Sequence, residues 1–340
     1  MSGSEENVLE RVKRRFDGTR LLTGRGGLRA EVGAKFLSLG IGDDAALVSG
    51  TTGYELVLTC DWFLEGTHFL RGKHPADTVG WKCLARAVSD IAAMGAVPRC
   101  FLLSLALPRE LAGGWLDDFL GGLRRAARRF GCSLAGGDTT ERREILINVT
   151  VVGEVRSGRE VRRSGAGPGD IIYVSGRLGE AELGLRLLRE RKRGASVLEA
   201  RLQKHFYPEP RLKLGRWLGE KRVASAMMDL SDGLSSDLRR LCEASGVGAL
   251  VDLQLLPAMR VTKPEGKKGF DPLLLALHGG DDYELLFTVP KNKAGRLPRS
   301  VDGVAITRIG EVTESREVMV ADGNRRARLL EPRGWDPFRG

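Results

Sequence analysis

The stretch Asp77–Pro108, DTVGWKCLARAVSDIAAMGAVPRCFLLSLALP, decides the fold class. Helical period runs from Asp77 to Met94. It stops at Gly95, with Pro98 beyond, residues that end helices. The apolar run Cys100–Ala106 then reads as a strand. A second helix follows, with Trp115, Phe119, Leu123, Ala127 and Phe130 on one stripe. Arg124, Arg125, Arg128 and Arg129 form its opposite, solvated face. Working outward, an amphipathic helix is expected at Glu6–Phe16, then a flexible TGRGG at Thr23–Gly27. GIGDDAALV occupies Gly40–Val48, ahead of a strand at Glu55–Thr59. Downstream, GGDTT at Gly136–Thr140 precedes a β-rich run, Ile145–Val155.

The second half opens near Arg156 with a loop of Gly, Arg and Ser. Strands are expected at Asp170–Val174 and Val223–Asp229, and helices at Glu180–Arg191 and from Leu-Ser-Asp-Gly-Leu to Gly246. GGDDYELLFTV, Gly279–Val289, runs from glycines into a strand. Strands and helices alternate in both halves, so the class is α/β or α+β. The expected domains are 1–155 and 156–340. Ser89-Asp90 precedes Gly136-Gly137-Asp138 much as Ser231-Asp232 precedes Gly279-Gly280-Asp281. Related halves and chance both explain that echo.

Composition narrows the function classes. A length of 340 residues suits about two domains. The 42% apolar content supports a sizeable core and excludes a disordered chain. No apolar run approaches the roughly 20 residues a membrane helix needs. The five cysteines are widely spaced without a CxxC, so they read as reduced thiols of a cytoplasmic protein. The formal charge is +10, which raises nucleic-acid binding as an alternative. Arginines are scattered, however, and 6% aromatic content supplies few base-stacking groups.

No GK[ST] closes a glycine loop, no GxSxG is present, and none of the histidines shows HExxH spacing. What recurs is Gly beside Asp: Gly42-Asp43-Asp44, Asp61, Ser89-Asp90, Gly137-Asp138, Asp229, Asp232 and Asp281-Asp282. Carboxylates with backbone oxygens suit hard cations such as Mg²⁺. Two of them about 4 Å apart repel by about 4 kcal/mol at an effective dielectric of about 20, so convergence requires cations. Separate wet turns would carry no such cost, and the sequence leaves the two open. Local alternatives exist as well. Asp90 could pair with Arg86 one turn earlier. Asp232 or Ser235 could cap the helix that follows. His68 could be a buried, satisfied histidine.

Together these pieces resemble the thiamine-monophosphate kinase family. Its superfamily also holds aminoimidazole ribonucleotide synthetase and selenophosphate synthetase. GIGDDAALV, LTCDWFLEGTHF, GWKCLARAVSDIAAMGAVP, LAGGDTTE, RRSGAGPGDIIYVSG, MMDLSDGLSSDL and GGDDYELLFTV stand in the family's order over about residues 40–290. The resemblance implies the two-domain aminoimidazole ribonucleotide synthetase-like architecture, with mixed sheets covered by helices. It implies ATP- and Mg²⁺-dependent γ-phosphoryl transfer to thiamine monophosphate, by direct in-line attack without a covalent nucleophile. It also implies a homodimer that pairs its N-terminal sheets. By carry-over Asp44, Thr59, Cys60, Asp61, Asp90, Asp138, Asp229 and Asp232 are the magnesium ligands. Gly137, Asp138, Arg163 and Ser231 are the ATP contacts, and Arg163 suits a phosphate clamp. His68, Asp281 and Trp335 are the acceptor contacts.

Three positions depart from the family pattern. Cys60 replaces the usual Thr, leaving only its backbone oxygen suited to Mg²⁺. Asp281 stands where Glu is usual, one methylene shorter. The ending GWDPF differs from the usual aromatic-and-His ending. The alternatives are another superfamily member with a different acceptor and a non-catalytic nucleotide- or nucleic-acid-binding module. TGRGG lacks the reactive Cys expected of selenophosphate synthetase. The chain also does not end in Cys, as the hydrogenase-maturation relative does.

Overall fold

The computed structural model describes residues 15, 37–39, 47–48, 50–190, 199–262, 265, 269–322, 327–336 and 338. The expected Glu6–Phe16 helix (all but Arg15), TGRGG and most of GIGDDAALV, Asp44 included, lie outside these residues. The chain divides into two units, Met1–Ile91 with Ala96–Ser157, and Ala92–Gly95 with Gly158–Gly340.

In the first unit, β1 (Leu37–Leu39) and β2 (Leu47–Val48) pair antiparallel. The main sheet joins β3 (Tyr54–Leu64), β4 (Val97–Leu107), β5 (Ser133–Glu141) and β6 (Leu146–Arg156) in the order β3-β6-β4-β5. Only β4 and β5 run parallel. Helices α1 (Ala76–Ala93) and α2 (Gly114–Phe130) cover one face. Their apolar stripes (Leu84, Val88 and Ile91 on α1, Leu116, Phe119 and Leu123 on α2) are buried with Phe101, Leu103, Leu105 and Val149 of the sheet. Among the described residues the other face is left exposed, at Tyr54, Leu56, Leu58, Trp62 and Leu102. Along β3, Glu55, Val57, Thr59, Asp61 and Phe63 alternate with exposed Tyr54, Leu56, Leu58, Cys60 and Trp62. GGDTT is not a turn: it is the second half of β5. Its glycines obscured the strand, because the close approach sits inside the ladder. A Cβ at Gly137 would collide with the Leu103 carbonyl, as glycine in a strand often signals.

The helices cross at two glycines. A Cβ on Gly80 would strike the Phe119 backbone, and one on Gly122 the Asp77 backbone. Neither neighbour is a flexible side-chain tip. Gly122→Ala is therefore expected to lose about 1–3 kcal/mol by overpacking, read as a lower melting temperature. Gly121→Ala is the control. Its Cβ would meet nothing nearer than an Arg125 nitrogen at 4.0 Å, so helix propensity should leave it neutral or slightly stabilising.

The second unit holds a larger mixed sheet. Its strands are β7 (Ile171–Ser175), β8 (Ala226–Leu230), β9 (Gly248–Asp252), β10 (Glu284–Val289), β11 (Ser300–Val301), β12 (Val304–Thr313), β13 (Val318–Ala321) and β14 (Ala327–Leu329). The order is β14-β13-β9-β12-β7-β10-β8, with β11 paired to β12. Helices α3 (Glu180–Glu190), α4 (Glu199–Phe206), α5 (Leu212–Lys221), α6 (Leu234–Ser245) and α7 (Pro272–His278) accompany it. Both faces are covered, which explains why β10 is buried at every position and reads as a continuous apolar run. Met228, Leu286, Ile172 and Val174 pack with Leu234, Leu238 and Leu241 of α6. Met227, Leu285 and Phe287 pack with Leu214 and Leu218 of α5. The Asp170–Val174 and Glu180–Arg191 expectations match β7 and α3 within a residue or so. Mixed sheets covered by helices are what the structure shows in both units.

Candidate functional site

In the first unit, β3 and α1 bring three expected residues to the helix-covered face. Thr59 Oγ1 donates to Asp90 Oδ2 at 2.5 Å. Asp61 lies two residues along the same face of β3. Asp90 accepts from Thr59, and the Arg86 guanidinium lies over the Phe63 ring, 5.5 Å from its centroid. The Cys60 thiol is on the opposite, open face, 3.2 Å from the Asn148 side chain. Asp138 is opposite Ser104, in the row through Asn148 to Trp62. Strand alternation therefore separates Asp138 and the Cys60 thiol from Asp61. Among the described residues no three His, Cys, Asp or Glu side chains converge as a metal cluster. His68 is half-buried in the turn after β3. Its Nδ1 accepts the Leu64 N–H at 3.0 Å, and its ring is tilted against Phe63 at 5.7 Å.

In the second unit, two glycine-aspartate motifs press against each other. The Asp281 N–H donates to the Ser231 carbonyl at 2.8 Å and the Tyr283 N–H to Leu230 at 2.9 Å. Glycine is needed on both sides. A Cβ at Gly280 would lie 2.7 Å from the Ser231 carbonyl oxygen, and one at Gly233 2.9 Å from that of His278. Asp281 (φ 66°) and Tyr283 (φ 50°) both occupy the left-handed region. For a bulky Tyr this is a true outlier, and such strain concentrates at functional segments. Tyr283 Oη donates to Asp281 Oδ1 at 2.6 Å, and His205 Nδ1 lies 4.0 Å from its other oxygen. Trp335 joins this group, its N–H donating to the Asp232 carbonyl at 2.9 Å. Asp229, buried, is the last residue but one of β8 and is paired with Leu285.

Neither Asp232 nor Ser235 caps α6. Gly233 is the N-cap, and Asp237 turns back to do the work of a cap. Its Oδ2 accepts the N–H groups of Asp232 at 3.1 Å and Gly233 at 3.0 Å. Arg240 bridges the Asp232 and Asp237 carboxylates. Burial, and then the Asp232 charge, push the Asp237 carboxyl up to about 7 against the pull of Arg240. Arg163 is exposed. Its carbonyl accepts from Ser245 Oγ at the far end of α6, a helix length of about 18 Å from Ser231 at 1.5 Å per residue.

Sequence reasoning gave no role to a second buried group. Glu284, wholly buried at the start of β10, accepts from Ser175 Oγ at 2.5 Å and Arg211 Nε at 2.6 Å, and also pairs with Lys204. Burial alone would raise its carboxyl, but Lys204 and Arg211 outweigh that and hold it below the usual range. Next to it, Asp282 accepts the N–H groups of Gly179 at 2.6 Å and Ala181 at 3.2 Å. Burial pushes its carboxyl up to about 7. The available signal was a charge opening an apolar strand, which is tolerated only when paired.

The fold and these motifs define a class. Models of the AIR synthase related protein match residues 42–155 (N-terminal domain) and 167–322 (C-terminal domain). A thiamine-monophosphate kinase of Escherichia coli K12 is 38% identical over 310 residues, 89% of this chain and 92% of that protein. The solved structure described as AaThiL complexed with AMPPCP and TMP is 37% identical, with TM-score 0.75 over 88% of this chain and 92% of that one. The thiamine-monophosphate kinase structure from Stenotrophomonas maltophilia is 34% identical, with TM-score 0.77 over 94% and 97%. The chain belongs to the thiamine-monophosphate kinase family.

Proposed function

We propose that this chain transfers the γ-phosphoryl group of ATP to thiamine monophosphate, giving thiamine diphosphate and ADP. The observation that carries this reading is whole-chain likeness to a relative described with an ATP analogue and TMP. The local geometry agrees, with Ser231, Asp232, Asp281 and Trp335 held within one bonded turn cluster.

The donor set fits Mg²⁺. Thr59, Asp61 and Asp90 offer hard oxygens on one face, and the soft Cys60 thiol points away. These three would hold one ion. Asp138 would hold another on the open face, with Gly137 contacting nucleotide. Asp229 and Asp232 would serve in the second unit, and Asp44 and the Cys60 carbonyl complete the proposed set. When bound, the cations supply neutralisation of phosphate charge. Ser231 and Arg163 would bind ATP. His68, Asp281 and Trp335 would bind and orient the acceptor, so that its phosphate oxygen meets the γ-phosphorus in line. Asp281, oriented by Tyr283, has one fixed carboxylate direction for a polar group of the acceptor.

The homodimer reading rests on the open face of the first sheet. Leu58 is 66% exposed and Trp62 56%, with Tyr54, Leu56 and Leu102 beside them. A contiguous apolar face of this kind marks an interface. Leu58→Asp is expected to convert a dimer to monomer in light scattering. An unchanged mass would remove this face from the interface. A cytoplasmic location suits the cysteines, all free, with burial holding the Cys83, Cys100, Cys132 and Cys242 thiols above their usual range. Among the described residues no helix is long and apolar enough to cross a membrane.

The deciding experiment incubates the chain with ATP, Mg²⁺ and thiamine monophosphate and separates the products. Thiamine diphosphate and ADP in equal amounts, abolished by EDTA, are expected. ADP without thiamine diphosphate would assign a different acceptor.

A further inference from the structure

We propose that Ser236 and Gly334 are positioning residues that fix Trp335, and with it acceptor affinity, to the turn carrying Asp232. This rests on the reading of Trp335 as an acceptor contact. After β14 the chain is anchored by buried Leu330, whose N–H donates to Val318 at 2.8 Å. It then crosses the N-terminal end of α6. Three successive N–H groups are spent there. Arg333 donates to Ser235 Oγ at 3.3 Å, Gly334 to Ser236 Oγ at 3.1 Å, and Trp335 to the Asp232 carbonyl at 2.9 Å. Ser235, wholly buried, is itself held by His278 Nδ1 at 2.9 Å.

The fit depends on a missing side chain. A Cβ at Gly334 would collide with both the Asp232 carbonyl and the Ser236 hydroxyl. One of these is backbone, so any larger residue must lift the strand of chain off the turn. The Trp335 indole, 41% exposed, would leave its place with it. Backbone bonding thus fixes the root of an otherwise exposed ring. The ring's position becomes a property of the Ser231–Gly233 turn, and not of the chain end alone.

The test compares Ser236→Ala and Gly334→Ala with the parent chain. Both should raise the KM for thiamine monophosphate by about tenfold, the scale of one or two lost hydrogen bonds. The KM for ATP should stay unchanged and kcat should fall little. A purely structural defect would move both constants together, and that result, or no change in either, overturns the proposal. Hydrogen exchange of the Trp335 amide gives a readout without substrate. Protection should be lost in both variants, and retained protection overturns the proposal even if the parent chain does not turn over. A parent chain inactive on thiamine monophosphate defeats the kinase reading alone.

Discussion

Glu284→Gln should destabilise the second unit by about 3–5 kcal/mol, the usual result of removing one partner from a buried ion cluster. Glutamine keeps the shape but not the charge, and its amide NH2 cannot accept the hydrogen bonds that one of the two carboxylate oxygens now takes. Lys204 and Arg211, whose side chains are 16% and 17% exposed, would then face each other across a neutral group at the start of β10. Loss of either cation alone should cost less, because the other still neutralises the carboxylate. Replacing all three residues by apolar ones of similar volume should recover much of the loss. Urea denaturation of the four variants checks this. A Glu284→Gln loss below about 1 kcal/mol would mean that the cluster behaves as a solvated surface pair. The pH dependence has a definite sign. The folded carboxyl lies below its usual 4.5. Its contribution is therefore complete above pH 4.5 and is lost as pH falls through the folded value.

The sequence made the architecture legible wherever one periodicity ran unbroken. α1 is a case: Gly95 and Pro98 mark its end, and the observed helix stops at Ala93. β10 is another, because burial on both faces leaves an apolar run that needs no alternation. Reading failed where a residue serves two purposes. Gly136 and Gly137 look like a turn but sit in β5, where backbone crowding against Leu103 excludes a Cβ at Gly137. The candidate site was legible as residue types and not as sets. Asp61 and Asp138 share chemistry, but a strand's two-residue period sends them to opposite faces. No local signal in LSDGL says that Asp237, four residues after the glycine, holds the turn. That follows only once α6 is built and its first turn brings the carboxylate back to the Asp232 and Gly233 N–H groups.

Asp90→Asn is the substitution that should cost most activity while sparing the fold. Asparagine can still accept the Thr59 hydroxyl, so the bond between β3 and α1 survives and the melting temperature should change little. What disappears is a full negative charge beside Asp61. If this face holds a cation against phosphate, the lost stabilisation is several kcal/mol, or at least about a hundredfold to a thousandfold in turnover. Thr59→Val supplies the contrast. It removes the hydroxyl and keeps both carboxylates, so it should impair turnover less and raise the Mg²⁺ concentration needed for half-maximal rate. Mn²⁺ binding followed by electron paramagnetic resonance reads the same site without catalysis. Asp90→Asn should lower the number of bound ions, and Asp138→Asn should remove a different one, because the two carboxylates stand on opposite faces of the sheet. If Asp90→Asn keeps near-normal turnover and the full complement of Mn²⁺, this face is structural. Its short Thr59–Asp90 bond then serves only to pin α1 to β3.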